Sequence, residues 1–229
     1  MNGMFSPDRG IGRVLTKIGE LVILSILWFV TSLPIITIGV STTALYYSTV
    51  KSLRRERGYF VKEYFRAWKE NFLRSSFLMV FFILCILGLL TVLVMNGFTI
   101  EDALTDDIKS IFSEKPDGAV RVFIIVGVVL FILLALFSYV FPLVSRLEQK
   151  GAFLLLLGFT MMVRFFYYSI AIAVILVALA GAVIQVPMAI MFAPGLWALL
   201  SSFLLEKAFR KYVPAPEADP DVDAWWTEL

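Results

Sequence analysis

The sequence predicts an all-α fold: a polytopic bundle of transmembrane helices, with amphipathic helices lying at the membrane surface. Three observations carry that expectation. Apolar runs of about 20 residues recur along the chain, the length a helix needs to cross the hydrocarbon core. Hydrophobic residues make up 60% of the 229 positions and the mean hydropathy is +0.88, whereas soluble domains are about 45–50% apolar. Lysine and arginine gather in alternate loops, as the positive-inside rule requires. A barrel is excluded, because alternating segments of about ten residues do not occur.

The chain begins with a basic amphipathic stretch. Arg9, Arg13 and Lys17 fall on one helical face, and Ile11, Val14, Leu15, Ile18 and Val22 on the other, a pattern suited to the anionic cytoplasmic leaflet. No small-residue cleavage site closes the apolar run that follows, so the segment reads as uncleaved. That run, residues 21–47, is interrupted by "TSLPIITIG" at 31–39. Pro34 removes a backbone donor and Gly39 loosens the helix again. Two arrangements are open. A kinked single span places the N-terminus outside; a re-entrant hairpin at Pro34–Gly39 keeps it inside. Length favours the span, which brings the count to about five crossings. Charge favours the hairpin.

The next loop is basic: Lys51, Arg54, Arg55, Arg57, Lys62, Arg66, Lys69 and Arg74. Within "VKEYFRAWKENFLR" (61–74), Val61, Tyr64, Phe65, Trp68 and Phe72 share one face. This reads as a helix on the inner leaflet, leading into a second span at 75–95. A third span covers 122–144. The apolar patch 151–163 is too short to assign as a span by itself. The uncharged run 165–205 is about two crossings long, with "QVPMAIMFAPG" (185–195) as its turn. Residues 1–213 thus form one integral membrane domain. Residues 214–229, proline-rich and acidic with Trp225 and Trp226, read as a disordered tail.

Orientation follows from the charges. Arg146, Lys150 and Arg164 follow the third span, and Lys207, Arg210 and Lys211 follow the last. The loop after the second span is acidic, with Glu101, Asp102, Asp106 and Asp107. The expectation is a multi-pass protein of the cell membrane, with its basic loops and C-terminus in the cytoplasm.

Several of these motifs, in this order, resemble the YesL-like family of bacterial integral membrane proteins. They are "SLPIITIG" followed by "TTALYY", then "GYF", "EYFRAWKENF" and "YVFPLVSRLE". The family's Leu-Pro-x-x-Thr-x-Gly element falls on Leu33, Pro34, Thr37 and Gly39. Its aromatic-to-Asn-Phe ending falls on Trp68, Asn71 and Phe72, with Trp in place of the usual Phe. Its Tyr-x-Phe-Pro element falls on Tyr139, Phe141 and Pro142. The family's domain has no assigned biochemical function. Its members are often encoded beside carbohydrate transporters, sugar-responsive regulators and glycoside hydrolases. The resemblance therefore implies an accessory role in sugar uptake or sensing, with a sugar ABC transporter or a sensor kinase as partner.

The chemistry-bearing residues narrow the function further. The chain has no histidine and a single cysteine, Cys85, so the commonest general base and the thiolate metal sites are missing. The acids of the 101–107 loop lack the spacing and glycine of a calcium loop. No ionisable residue falls well inside an apolar run, the usual mark of an ion pathway. No enzyme, cofactor or metal site is expected. The basic loops abut membrane spans, so lipid rather than nucleic acid is their partner. The unusual feature is the hydroxyl-rich stretch 31–49. Its hydroxyls either satisfy backbone groups freed by the break or line a midplane path through Pro34, Thr37, Gly39, Thr42, Thr43 and Tyr46. The first expectation is a membrane accessory or scaffold protein docking through Tyr64, Phe65, Trp68, Asn71 and Phe72. The alternative is a small carrier or channel, with a homodimer as one form.

Overall fold

The computed structural model describes residues 10–54, 59–96 and 117–212. Among these the structure is helical, without strands. The acidic stretch 97–116 and the tail 213–229, with Trp225 and Trp226, lie outside the described residues, as do Arg9, Arg55 and Arg57.

Helix α1 spans Gly10–Thr31 and ends where the sequence demands it. Pro34 cannot donate a backbone hydrogen bond and pushes Leu33 away from helical geometry. The last turn closes with Ser32 N donating to Trp28 O (2.9 Å) and Leu33 N to Val30 O (3.4 Å). A short 3-10 turn, Ile35–Thr37, leads into α2, Ile38–Ser48, which widens into a π turn over Thr49–Arg54.

The chain turns back here. Trp28 Nε1 donates to Thr42 Oγ1 at 3.1 Å across 14 residues, a separation that a continuous helix would stretch to about 21 Å. The expected kinked single span is therefore replaced by a helical hairpin, α1 against α2. The physical reason is the Thr37 hydroxyl. It lies 2.7 Å from the Thr31 carbonyl and 2.6 Å from the Pro34 carbonyl, and it satisfies acceptors that the broken helix leaves open.

Helix α3, Phe60–Glu70, packs antiparallel on α2, since Lys51 meets Glu63 at one end and Thr43 meets Ser75 just past the other. Asn71 breaks the helix; its Nδ2 donates to Ala67 O at 3.0 Å, and α4 begins at once, Phe72–Met95. Helix α5, Asp117–Val144, runs antiparallel to α4, with the Phe82 ring edge-on to Phe137 at 5.6 Å and tilted against Phe141 at 5.8 Å. Helix α6, Gly151–Arg164, packs on the last turns of α5. Gly158 permits that approach: a Cβ there would meet Val140 Cγ2 at 2.8 Å. Phe165 separates α6 from α7, Phe166–Gln185. The turn Pro187–Met191 then leads to α8, Ala193–Tyr212, so the break falls within the 185–195 segment expected to turn.

Three segments are long and apolar enough to cross a membrane: Phe72–Met95, Arg121–Val144 and Phe166–Gln185. Their outward faces carry exposed Phe77, Leu84, Ile125 and Val177, as lipid-facing surfaces do. The protein is an all-α membrane helical bundle.

Candidate functional site

Helix α2 is the hub of the bundle. Every residue from Gly39 to Ser48 is buried, although the segment is rich in hydroxyls. Its neighbours are α1, α3, α4, α5 and α8. Gly39 sets the spacing to two of them. A Cβ at that position would strike the Phe141 ring and come within 3.1 Å of the Ser75 carbonyl, so only glycine lets α2 sit this close to α4 and α5.

The hydroxyls of the hub bond inward. Thr42 donates to Ile38 O at 2.7 Å and accepts from Trp28. Thr43 lies 3.0 Å from Gly39 O, 3.1 Å from Ser75 Oγ and 3.2 Å from Phe141 O, joining three helices at one point. Ser48 donates to Ala44 O at 2.8 Å. Tyr46 donates to Glu206 Oε1 at 3.0 Å.

Of the six residues considered for a path, Pro34 is exposed at the hairpin tip while Thr37, Gly39, Thr42, Thr43 and Tyr46 are buried. They face different neighbours. Thr37 closes the turn, Gly39 and Thr43 meet α4 and α5, Thr42 meets α1, and Tyr46 reaches α8. Thr42 alone among them lines the cavity of about 510 Å³ between the hairpin and the α7–α8 corner.

The docking candidates divide similarly. Tyr64 and Asn71 are buried, Trp68 and Phe72 half-buried, and Phe65 exposed. Val61 and Phe65 look outward, while Glu63, Tyr64 and Ala67 turn toward α2. The apolar face read from the sequence is thus rotated, because Lys51 draws Glu63 inward at 3.3 Å. Tyr64 Oη and Thr31 Oγ1 are 2.6 Å apart, tying α3 to the end of α1. Burial, partly offset by the hydroxyl contact to Thr31, pushes the Tyr64 phenol up to about 12. On the outer face, the hydrogen bond from Arg66 to Glu70 (2.9 Å) raises the Arg66 guanidinium above its ordinary value.

Two ion pairs flank the hub, and the sequence reading missed both as buried features. Arg146, just past α5, pairs with Glu206 on α8, and each side chain is only 3% exposed. Tyr46 donates to the same carboxylate oxygen, and the Arg146 guanidinium lies 5.2 Å from the Phe209 ring centroid. Lys51 approaches Glu63 and the Tyr47 hydroxyl, each at 3.3 Å. Charge is therefore present inside the bundle, beyond the apolar runs rather than within them. No cluster of metal-ligating side chains occurs among the described residues.

Residues 21–94 match the model of a family described as "Protein of unknown function, DUF624". That is the YesL-like family, and the match runs from the middle of α1 through α4, hub included. No curated protein and no solved structure matches the chain.

Proposed function

We propose that the chain is an accessory or scaffold component of the cell membrane, linked to carbohydrate uptake or sensing. The observation that carries this reading is the inward bonding of the hub. Thr37, Thr42, Thr43, Tyr46 and Ser48 are each engaged with protein groups, and such a helix works as a rigid centre. The link to sugars rests on the company its family keeps.

Charge alone supports an orientation: with the basic residues of α3, of the 145–150 loop and of the end of α8 on the cytoplasmic side, as the positive-inside rule asks, α3 offers Val61 and Phe65 to the inner leaflet or to a partner.

The test is extraction of the tagged protein from native membranes in mild detergent. A sugar-transporter subunit or sensor kinase in stoichiometric amount, lost on Phe65→Asp, is the expected result. Recovery alone or as a self-dimer overturns the scaffold reading. Orientation is read from Ser6→Cys in a Cys85→Ala background. An impermeant thiol reagent should leave it unlabelled in intact cells and label it in inverted vesicles.

A second reading, a small carrier or channel, is favoured by the position of Thr42 on the cavity wall beside the broken segment. Unchanged substrate flux in vesicles bearing Thr37→Val or Gly39→Leu would remove it.

A further inference from the structure

Helix α3 turns a charged stripe away from the bundle. Lys62, Arg66 and Lys69 are all exposed, and their spacing aligns them along about 10 Å of one helix face. Arg66 bonds to Glu70, while Lys62 and Lys69 have no ion-pair partner among the described residues. Val61 and Phe65 lie beside them, exposed as well. The face is thus cationic along one edge and apolar along the other.

The segment after α8 carries the matching chemistry. Residues 213–229 hold Glu217, Asp219, Asp221, Asp223 and Glu228, no lysine or arginine, and the pair Trp225–Trp226. Asp219, Asp221 and Asp223 fall at every second position, where an extended chain sets them on one side over about 13 Å. That is close to the length of the stripe. The indoles that follow suit an exposed valine and phenylalanine, and the guanidinium of Arg66.

The two are within reach of each other. The α3–α4 junction touches the loop after α5, where Arg74 Nη1 donates to Leu147 O at 3.3 Å. The neighbouring Arg146 pairs with Glu206, near the end of α8. These contacts bring the end of α8 to the same end of the bundle as the end of α3. From Tyr212 an extended chain reaches Asp219 within about 25 Å and Trp225 within about 45 Å, and α3 itself is about 16 Å long.

We propose that residues 217–226 dock on the outer face of α3, antiparallel to it. Asp219 then meets Lys69, Asp221 meets Arg66 and Asp223 meets Lys62, and the Trp pair covers Val61 and Phe65. Charge selects this occupant. An anionic leaflet would neutralise the stripe but repel the acids, whereas segment and stripe neutralise each other. Any partner drawn to Val61 and Phe65 has to displace it first. The contact stands whether or not the scaffold reading holds.

The test is disulfide crosslinking in the full-length chain, in vesicles of phosphatidylethanolamine and phosphatidylglycerol. Ala224→Cys is paired with Val61→Cys in a Cys85→Ala background. Mild oxidation should give a crosslinked monomer several-fold faster than the control pair, Ala224→Cys with Lys207→Cys. The rate should fall several-fold from about 50 mM to about 500 mM salt. Lys62→Glu with Lys69→Glu should slow it about threefold to tenfold. Adding Asp219→Lys and Asp223→Lys to that variant should restore it. Asp219→Asn, Asp221→Asn and Asp223→Asn together, which leave the described helices untouched, should slow it as much as the lysine reversal. A rate indifferent to both sets of charge changes overturns the proposal, as does equal crosslinking to the Lys207→Cys control. Crosslinked dimers without crosslinked monomer assign the segment to a second copy and overturn it. A crosslink present in pure phosphatidylcholine and lost on adding phosphatidylglycerol assigns the stripe to lipid and overturns it too.

Discussion

Arg146 and Glu206 provide the sharpest test of how the bundle is held. Both side chains are 3% exposed, and they join the end of α5 to α8, with Tyr46 of the hub donating to the same carboxylate. Arg146→Met takes away the cation that pairs with a buried carboxylate, which costs about 3–5 kcal/mol. Glu206→Leu strands the guanidinium at a similar cost and also deprives Tyr46 of its acceptor, about 1–3 kcal/mol more. Added independently, the two changes would approach the whole stability of a typical domain, about 5–15 kcal/mol. They are not independent. The double variant removes both charges and should lose far less than the sum of the two singles. The triple variant, with Tyr46→Phe added, should come within about 2 kcal/mol of the parent, because an apolar replacement of a buried pair is often near neutral. The assay is the unfolding midpoint in detergent, followed by circular dichroism and placed on a free-energy scale by denaturant titration. A triple variant as unstable as the sum of its singles would refute the reasoning, since the damage would then come from packing rather than from unpaired charge.

Three further outcomes follow from the hub. Thr37→Val keeps shape but removes the hydroxyl that closes the hairpin, and should cost about 1–3 kcal/mol by the same unfolding assay. Gly39→Leu forces bulk against Phe141 and the Ser75 carbonyl; a loss above about 3 kcal/mol is expected, seen as a fall in folded yield on size exclusion. Tyr64 titrates at about 12 in the folded protein against an ordinary 10.0. Its raised value favours the protonated, folded form, so its contribution is complete below pH 10 and is lost as pH climbs through 12. Tyr64→Phe should flatten that part of the alkaline fall in unfolding midpoint, and an unchanged profile would show that Tyr64 plays no part in it.

Much of the fold was legible because membrane crossing has a length. The runs that became α4, α5 and α7 announce themselves by about 20 apolar residues each, and the break at 185–195 follows from Pro187 and an uncharged span too long for one helix. The hairpin was not legible, since Pro34 serves equally as a kink within one helix or a stop between two. Only Thr37 meeting Thr31, and Trp28 meeting Thr42, separate those cases. On α3 the period was plain but its rotation was not, because the pull of Lys51 on Glu63 depends on a contact between residues 12 positions apart. The Arg146–Glu206 pair spans 60 positions, and nothing local marks either member. Both sit where positive-inside reasoning expects ordinary loop charges.

The hub also explains why a membrane segment should carry a weak point at its middle. Lipid tails are as apolar as leucine, so hydrophobicity alone does not tell a helix whether to face its neighbours or the bilayer. A central helix surrounded by five others needs another signal. In α2 that signal is polarity: Thr42, Thr43, Tyr46 and Ser48 find partners on the helix itself and on α1, α4, α5 and α8, and would be penalised facing lipid. Small residues complete it, since Gly39 and Ala44 admit the neighbours closely. Such a helix must be short, because the bundle can enclose only so much of it, and it must return into the protein after α1. Pro34 supplies the end of α1, Thr37 closes the turn, and Gly39 opens the packing. The apparent defect in "TSLPIITIG" is the condition for placing a hydroxyl-rich helix where only protein touches it.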